Sequence, residues 1–286
     1  MITPEFITAN WPLTNVRIEK LLQQSGTRST HVLTANEGKF VLKIADHSKN
    51  QTDIERDTFV FNFLREQKYK HLPELLLAQN GDHYIPVKEQ FAFVLGYIEG
   101  VHPQSVVSTW HRMAELTAQL HQITEYPFGT TITVTTERPK FLEDTSRLRF
   151  EKEYQQLAQE LPDFTDVPQR LIHTDIGLHN TIQRSDGELI FVDWDDAGVG
   201  ARILDLGYPL ICQFISHDLV IDTANAKAFY ARYQELEPLT KTEKEQLFDA
   251  GLFFALMYSK YGDSEKNWQR IQFAIQNKSQ LIHLFQ

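Results

Sequence analysis

The first third of the chain carries short apolar or alternating runs that are typical of β-strands. These runs are 16–22, 29–35, 39–45, 72–78 and 84–95. Between the third and fourth runs, apolar residues recur at helical spacing and predict one helix over 51–67. We therefore expect a small antiparallel sheet with one helix. The paired glycines Gly96 and Gly100 follow the last run and are typical of a hinge.

Beyond Gly100 the apolar residues take helical spacing. The predicted helices cover 106–123, 141–161, 225–236, 242–261 and 267–285. One β-hairpin interrupts this pattern, because Thr181–Arg184 and Glu188–Val192 flank an Asp-Gly turn. The pattern predicts an α+β protein with two domains, a sheet-rich part at 1–96 and a mostly helical part at 97–286.

The charge of the chain bears on its partners. Lys and Arg number 28 against 38 Asp and Glu, which gives a net charge of −10. This is the wrong sign for nonspecific attraction to a phosphate backbone. We therefore expect no nucleic-acid partner.

The cysteine count and the apolar runs bear on the compartment. Cys212 is the only cysteine, so the sequence contains no pair for an intrachain disulfide and no thiolate cluster for a metal. No apolar run approaches the roughly 18 residues that span a bilayer. We expect a cytoplasmic protein that does not insert into a membrane.

Polar residues that can bind a cation flank the predicted hairpin. Asn180 lies directly before its first strand and Asp193 directly after its second, and a hairpin returns the chain to its starting point. We therefore expect Asn180 and Asp193 to lie close together, with Asp175 one loop turn away. Seven acidic and two basic residues lie between Leu171 and Leu210, an imbalance that calls for a cation. Hard oxygen ligands of this kind fit magnesium.

The pattern His173-x-Asp175-x-x-x-x-Asn180, followed by Asp193-Trp194-Asp195, resembles the catalytic loop and metal motif of the aminoglycoside phosphotransferase and choline kinase family. That family is related to the protein kinases. The resemblance implies a two-lobed protein-kinase-like fold. A small antiparallel β-sheet N-lobe would bind the nucleotide, and a mostly helical C-lobe would carry the catalytic loop, the metal site and the acceptor site.

The resemblance also implies roles for the residues of the motif. Asp175 is the catalytic residue that accepts or orients the proton of the acceptor hydroxyl. Asn180 and Asp193 hold magnesium ions that bridge the nucleotide phosphates. His173 braces the loop, and Asp195 assists the metal site or faces a cationic acceptor.

A lysine in the third predicted strand is the candidate for the nucleotide phosphates. Alternation places Lys43 on one face with Val41, and a lysine among apolar residues needs a reason. The resemblance implies that Lys43 grips the phosphates and pairs with an acid on the following helix. Glu55 and Asp57 are equal candidates for that acid.

Two segments are the candidates for the rest of the nucleotide site. The turn Ser25–Thr30 contains one glycine, Gly26, where protein kinases have several. By analogy of fold, the backbone of Gly96, Tyr97 and Ile98 would read the adenine edge.

Together these features predict a magnesium-dependent kinase that transfers the terminal phosphate of ATP or GTP to a hydroxyl of a small molecule. The acids Asp195, Asp196 and Asp205 favour a cationic acceptor such as an aminoglycoside, choline or another amino alcohol. Sugars and hydroxyamino acids stay open as acceptors. A nucleotide-binding regulatory protein without turnover is the alternative from another class. The choice of nucleotide and the oligomeric state stay open as well.

Overall fold

The computed structural model describes residues 2–25 and 27–286, except for the side chains of 23–25 and 130. The chain forms two compact units. The first combines Met1–Val101 with Ile182–Asp195, and the second combines His102–Thr181 with Asp196–Gln286. The sequence places the division at residue 96, whereas the first unit extends to Val101 and includes most of the hairpin. Gly26 of the predicted nucleotide loop lies outside the described residues.

The first unit is built on a six-stranded antiparallel sheet with the strand order β1-β2-β3-β6-β4 and with β5 paired to β6. Its elements are α1 (Pro4–Asn10), β1 (Arg17–Ser25), β2 (Arg28–Ala35), β3 (Gly38–Ile44), α2 (Gln51–Glu66), β4 (Leu75–Leu76), β5 (Ile85–Val87) and β6 (Gln90–Gly96). The predicted run 84–95 divides into two strands because Lys88 adopts a left-handed turn conformation with φ 56°. The helix predicted over 51–67 forms as α2, whereas α1 was not predicted and the run 72–78 forms only the two-residue strand β4.

Successive side chains of β3 point to opposite faces of the sheet, so they have different surroundings. Leu42 is buried in the apolar cluster that includes Ile7 and Trp11 of the N-terminal segment. Lys43 is opposite Phe93 of β6 in the register, and the Phe93 ring lies 6.5 Å from Phe61 of α2. Lys43 therefore lies on the face that carries α2.

The predicted hairpin forms as β9 (Thr181–Gln183) and β10 (Leu189–Phe191), with Gly187 in the turn at φ 84°. Val101 and Gln183 exchange backbone hydrogen bonds of 3.1 and 2.8 Å. A Cβ at Gly100 would lie 2.3 Å from the Gln183 carbonyl oxygen, so this position requires a glycine because the two backbones approach closely. The hairpin is thereby attached to the first unit.

The second unit is mainly helical and also contains a three-stranded sheet with the order β7-β11-β8. Its elements are α3 (Val107–His121), β7 (Thr130–Ile132), α4 (Val134–Leu142), α5 (Glu151–Glu160), β8 (Gln169–Ile172), β11 (Gly198–Ala201), α6 (Ile203–Cys212), α7 (Thr223–Leu236), α8 (Lys241–Ser259), α9 (Ser264–Gln276) and α10 (Lys278–Ile282). The single helix predicted over 141–161 is wrong, because Asp144 is left-handed with φ 54° and separates α4 from α5. The helix predicted over 267–285 divides at Asn277.

None of the helices in the described ranges is both long enough and apolar enough to cross a membrane.

In the second unit, helices α6 and α8 pack against each other at two glycines. A Cβ at Gly207 would lie 2.4 Å from the Gly251 backbone nitrogen and 2.5 Å from the Ala250 carbonyl carbon. Backbone atoms cannot rotate away as a side chain does, so a methyl group here forces the helices apart. Helix α6 also supports the loop after β8. The contact between α6 and α8 therefore affects the position of that loop as well as the packing of the core.

We predict that Gly207→Ala lowers the free energy of unfolding by at least ~2 kcal/mol, the scale of overpacking a close contact. The control is Gly129→Ala, where an added Cβ meets nothing within 4 Å. Chemical denaturation of both variants checks this. Equal stability of the two variants would contradict the packing argument.

Candidate active site

The loop after β8 is held by a carboxylate of α6. Asp205 is fully buried and accepts hydrogen bonds from the backbone N–H of His173 at 2.8 Å and of Thr174 at 2.6 Å. Thr174 has a left-handed φ of 78°, a conformation that costs about 1–3 kcal/mol in a non-glycine residue. The two charge-assisted hydrogen bonds stabilise the loop in that conformation.

Asp205 is itself fixed by a buried histidine at the end of α3. The Nε2 atom of His121 lies 3.2 Å from Asp205 Oδ2, and its Nδ1 atom lies 2.7 Å from the Tyr233 hydroxyl. All three side chains are buried. His121 is therefore part of the support of the loop, a role that its position at a helix end did not indicate.

Asp175 is held through one of its two carboxylate oxygens. Asn180 Nδ2 donates to Asp175 Oδ2 at 2.8 Å and to the Asp175 carbonyl at 3.1 Å, and His179 Nε2 lies 3.2 Å from the same Oδ2. Within the described residues, Oδ1 has no hydrogen-bond partner, and the side chain is 23% exposed. The carboxylate thus has a fixed orientation, and its buried second oxygen lies on the side away from Asn180.

The surroundings of Asp175 keep it ionised. Burial opposes the charge, but the hydrogen bond and charge of His179 outweigh it and leave the pKa of Asp175 below its usual value. Tyr208 of α6 lies near enough to lower the pKa of Asp175 further. An ionised carboxylate is suited to orient a hydroxyl and to take its proton as the bond to phosphorus forms.

In the first unit, Lys43 binds two carboxylates that follow β10. Its Nζ lies 2.6 Å from Asp193 Oδ1 and 2.5 Å from Asp195 Oδ1. Arg28 adds a longer ion pair of 3.9 Å to Asp195. The lysine side chain is 9% exposed, yet the two carboxylates outweigh the effect of burial and raise the pKa of Lys43. A cation is therefore stable between Asp193 and Asp195.

The residue between the two carboxylates explains why both face Lys43. Trp194 is fully buried, donates to the Phe191 carbonyl at 2.9 Å and packs edge-on against Tyr69. The anchored indole leaves its two neighbours on the other side of the chain. Asp193 has a left-handed φ of 65°, which turns the chain directly after the hairpin.

Neither of the two candidate acids on α2 bonds to Lys43. Asp57 accepts from Lys49 at 2.8 Å and from Arg56 at 3.2 Å, and it is 4% exposed. Glu55 is exposed and accepts from Tyr84 at 3.1 Å. The expected pairing of Lys43 with the following helix is thus replaced by its pairing with Asp193 and Asp195.

The three residues expected to read a nucleobase lie at the end of β6 and just after it. Gly96 N–H donates to the Glu74 carbonyl at 2.7 Å, and Tyr97 N–H donates to the Lys39 carbonyl at 3.2 Å. Ile98 forms no backbone hydrogen bond with any described residue. Its N–H and C=O are the pair available for a ligand.

The candidate metal ligands fit a hard cation in chemistry. Asp193 presents its carboxylate to the Lys43 ammonium and so already faces a positive charge. Asn180 uses its amide nitrogen on Asp175, which leaves Oδ1 as an acceptor. Apart from residues 1 and 26, no three His, Cys, Asp or Glu side chains form a group that can hold a metal ion by themselves.

Sequence reasoning did not predict the roles of several residues of the site, and it assigned Asp205 to the acceptor instead of to the loop. Asp205 and His121 support the loop through contacts between segments far apart in sequence, which no local pattern predicts. Lys49 carries a weak signal, because it is a second lysine between the Lys43 strand and a capped helix. His179 lies within the motif, four residues after Asp175, but its type alone did not indicate a contact.

Comparison with known proteins bears on what this geometry serves. A family described as "Phosphotransferase enzyme family" matches residues 18–239 of the chain. A search of curated proteins finds no match.

Solved structures resemble the fold. An aminoglycoside phosphotransferase from Alicyclobacillus acidocaldarius is 12% identical with a TM-score of 0.65, and the match covers 100% of this chain and 94% of that one. A microcompartment-associated aminopropanol kinase is 16% identical with a TM-score of 0.68, over 94% and 92%. An amicoumacin kinase in complex with AMP-PNP, Ca²⁺ and its antibiotic is also 16% identical with a TM-score of 0.68, over 93% and 90%. The predicted fold class is thus confirmed.

The burial of Asp57 leads to a pH-dependent prediction. Burial raises the pKa of Asp57 from 3.8 to about 6, against the opposing charges of Lys49 and Arg56. Because folding raises this pKa, the group's contribution to stability is complete below about pH 4 and is lost as the pH rises through about 6.

We therefore predict that the free energy of unfolding of the unaltered protein, relative to Asp57→Asn, falls by about 1 kcal/mol from roughly pH 5 to pH 7.5. Urea denaturation of both proteins across this range measures it. A difference that does not change with pH would show that Asp57 does not titrate there.

Proposed function

The chain belongs to the phosphotransferase enzyme family, and on that premise we propose that it transfers the terminal phosphate of ATP or GTP to a hydroxyl of a small molecule. The observation that carries the proposal is Asp175, whose carboxylate is fixed through Oδ2 by Asn180 and stays 23% exposed. Phosphoryl transfer needs little covalent help from the protein, so a rigidly oriented acceptor for one proton is the feature it requires.

Asp175 acts on the acceptor. Its carboxylate accepts the hydrogen bond of the attacking hydroxyl and orients that oxygen towards phosphorus. The lowered pKa of Asp175 keeps it ionised, so it takes the proton only as the new bond develops. His173 and Thr174 contribute through their backbone, which Asp205 holds in place.

Asn180 and Asp193 are the proposed metal ligands, because they flank the β9–β10 hairpin and offer oxygen donors. A bound magnesium ion neutralises charge on the phosphate oxygens. Asp193 would bind this ion with the carboxylate that now binds the Lys43 ammonium. Asp195, which shares Lys43 with Asp193, supports the same side of the reaction rather than the acceptor.

Lys43 and Ile98 are the proposed nucleotide contacts of the first unit. An ammonium that keeps its charge while buried can bind phosphate oxygens once its carboxylates take up another cation. The N–H and C=O of Ile98 match the donor and acceptor needs of a purine edge. Gly96 and Tyr97 position Ile98 through their own hydrogen bonds.

We propose an amino-bearing alcohol as the acceptor. In the second unit, the Tyr208 ring lies 5.7 Å from the Phe254 ring and 5.8 Å from the Tyr258 ring. Tyr208 interacts with Asp175, and an aromatic cluster beside an ionised acid favours an ammonium group over a neutral one. The aminopropanol kinase and the aminoglycoside phosphotransferase of similar fold are named for acceptors of this class. Asp205 gives no support to this choice, because it binds the loop backbone.

Coupled ADP or GDP release over a panel of acceptors tests the proposal. The panel contains aminoglycosides, choline analogues, short amino alcohols, hydroxyamino acids and sugars, each with ATP and with GTP. We expect turnover with at least one amino-bearing alcohol. Turnover with sugars alone would overturn the acceptor class, and nucleotide binding without turnover on any alcohol would favour a regulatory protein.

We predict that Asp175→Asn lowers the rate of transfer by at least ~100-fold, the scale of a positioned acid or base. Nucleotide affinity should stay within about threefold, because the residue faces the acceptor. The control is Asp218→Asn, an exposed acid of the same unit. An unchanged rate in Asp175→Asn would remove this residue from the mechanism.

We predict that Asp193→Asn weakens binding of the magnesium–nucleotide complex by at least ~10-fold. Calorimetric titrations with magnesium and with EDTA separate the effect on the metal from that on the nucleotide. The matched control is Asp186→Asn in the hairpin turn, which lies 58% exposed. Equal losses with magnesium and with EDTA would argue against a role in metal binding.

A further inference from the structure

Lys49 joins helix α2 to the segment that follows β10. Its Nζ donates to Asp57 Oδ2 of α2 at 2.8 Å and to the carbonyl oxygen of Asp195 at 3.1 Å. Asp195 in turn binds Lys43 through its side chain. Lys49 therefore connects α2 directly to the backbone that carries the candidate metal-site carboxylates.

The loop that carries Lys49 is itself fixed at both ends. Asp46 accepts from the Thr27 hydroxyl at 2.7 Å and from Ser48 N–H at 3.0 Å, and His47 N–H donates to the same Thr27 hydroxyl at 3.0 Å. These contacts lower the pKa of Asp46 to about 2. At the other end, Asn50 caps α2 in a capping box. Thr27 belongs to the turn expected to cover the nucleotide phosphates.

The Lys49–Asp57 pair differs from an ordinary surface ion pair. Asp57 is 4% exposed and the lysine side chain is 24% exposed, so solvent screens the interaction little. Removing one partner of such a pair leaves a buried charge without full compensation. Arg56 also contacts Asp57, but it donates to the other carboxylate oxygen, at 3.2 Å.

Lys43 does not supply this connection, because both of its partners lie after β10. When Lys43 turns to the phosphates, its bond to Asp195 is lost. Lys49 then retains the link between Asp195 and α2, because it holds the backbone carbonyl of Asp195. The two lysines therefore have different roles, because Lys43 binds the carboxylates of Asp193 and Asp195 and Lys49 binds the carbonyl oxygen of Asp195.

We propose that Lys49 is a positioning residue for phosphate transfer, which holds the Asp193–Asp195 segment to α2 through Asp57. The role in transfer rests on the proposed function, whereas the role in holding the segment does not. Lys49 acts through Asp195, so its loss should affect the magnesium–nucleotide complex and leave the acceptor alone.

The test compares Lys49→Met, Lys49→Arg and Asp57→Asn with Arg65→Met. Arg65 also lies on α2, and its ion pair with Glu74 is exposed. Steady-state kinetics should show a 10- to 100-fold rise in KM for the magnesium–nucleotide complex in Lys49→Met, the usual scale for a residue that orients a metal site. The KM for the acceptor should not change, and Lys49→Arg should recover most of the loss.

A second measurement does not depend on catalysis. Amide hydrogen exchange in the ligand-free protein should be roughly tenfold faster around 193–196 in Lys49→Met, with no change there in Arg65→Met. If Lys49→Met folds poorly, the double variant with Asp57→Asn removes the uncompensated charge and serves in its place. When both residues act as one pair, the double variant is no worse than either single variant.

The outcomes separate the two proposals. Turnover in the unaltered protein with unchanged exchange and unchanged KM in Lys49→Met overturns the role of Lys49 and leaves the proposed function intact. Faster exchange in Lys49→Met, in a protein that transfers phosphate to no acceptor, supports the structural role and overturns the proposed function. Equal effects of Lys49→Met and Arg65→Met reduce Lys49 to general stability and contradict the proposal.

Discussion

The first unit depends on one ammonium group shared between two carboxylates. Asp193 and Asp195 lie side by side after the hairpin, and their mutual repulsion requires a cation between them. Lys43 supplies it from the central strand of the sheet, and the pairing keeps the lysine charged despite its burial. The face of β3, the end of β10 and the anchor at Trp194 are all arranged around this contact. Under the proposed function, nucleotide phosphates would attract the lysine and leave the two carboxylates to a metal ion.

In the second unit, hydrogen bonds position the candidate catalytic acid. Asp175 is oriented by neighbours in its own loop, and the loop is held by a buried chain of hydrogen bonds from Tyr233 through His121 to Asp205. Every polar atom in such a chain needs its partner, because the interior offers no water to replace one. The loop thereby holds Asp175 in place, and the contact with His179 keeps the acid ionised. Charge compensation fixes the first site, and hydrogen bonding fixes the second.

Sequence reasoning succeeded where a local rule determines the result. Alternation along β3 predicted that Lys43 and Leu42 lie on opposite faces, and the Asp-Gly turn predicted the hairpin that separates Asn180 from Asp193. The prediction of a single helix over 141–161 was wrong. The left-handed conformation of Asp144 lies between α4 and α5, and an aspartate in a sequence does not by itself indicate that conformation. The partner of Lys43 also escaped prediction. Spacing along α2 offered Glu55 and Asp57, whereas packing gave Asp57 to Lys49.

The exchange of Lys43 for a metal ion is the central claim, and the binding of manganese tests it most directly. Electron paramagnetic resonance counts free Mn²⁺ in the presence of the protein, with and without a non-hydrolysable ATP analogue. We expect weak binding to the protein alone and binding at least ~10-fold tighter with the analogue, after subtraction of Mn²⁺ bound by the analogue itself, a coupling of ordinary size between two sites. In Lys43→Met the protein alone should bind Mn²⁺ more tightly than the unaltered protein does. Equal affinity with and without the analogue, together with no gain in Lys43→Met, would contradict the account.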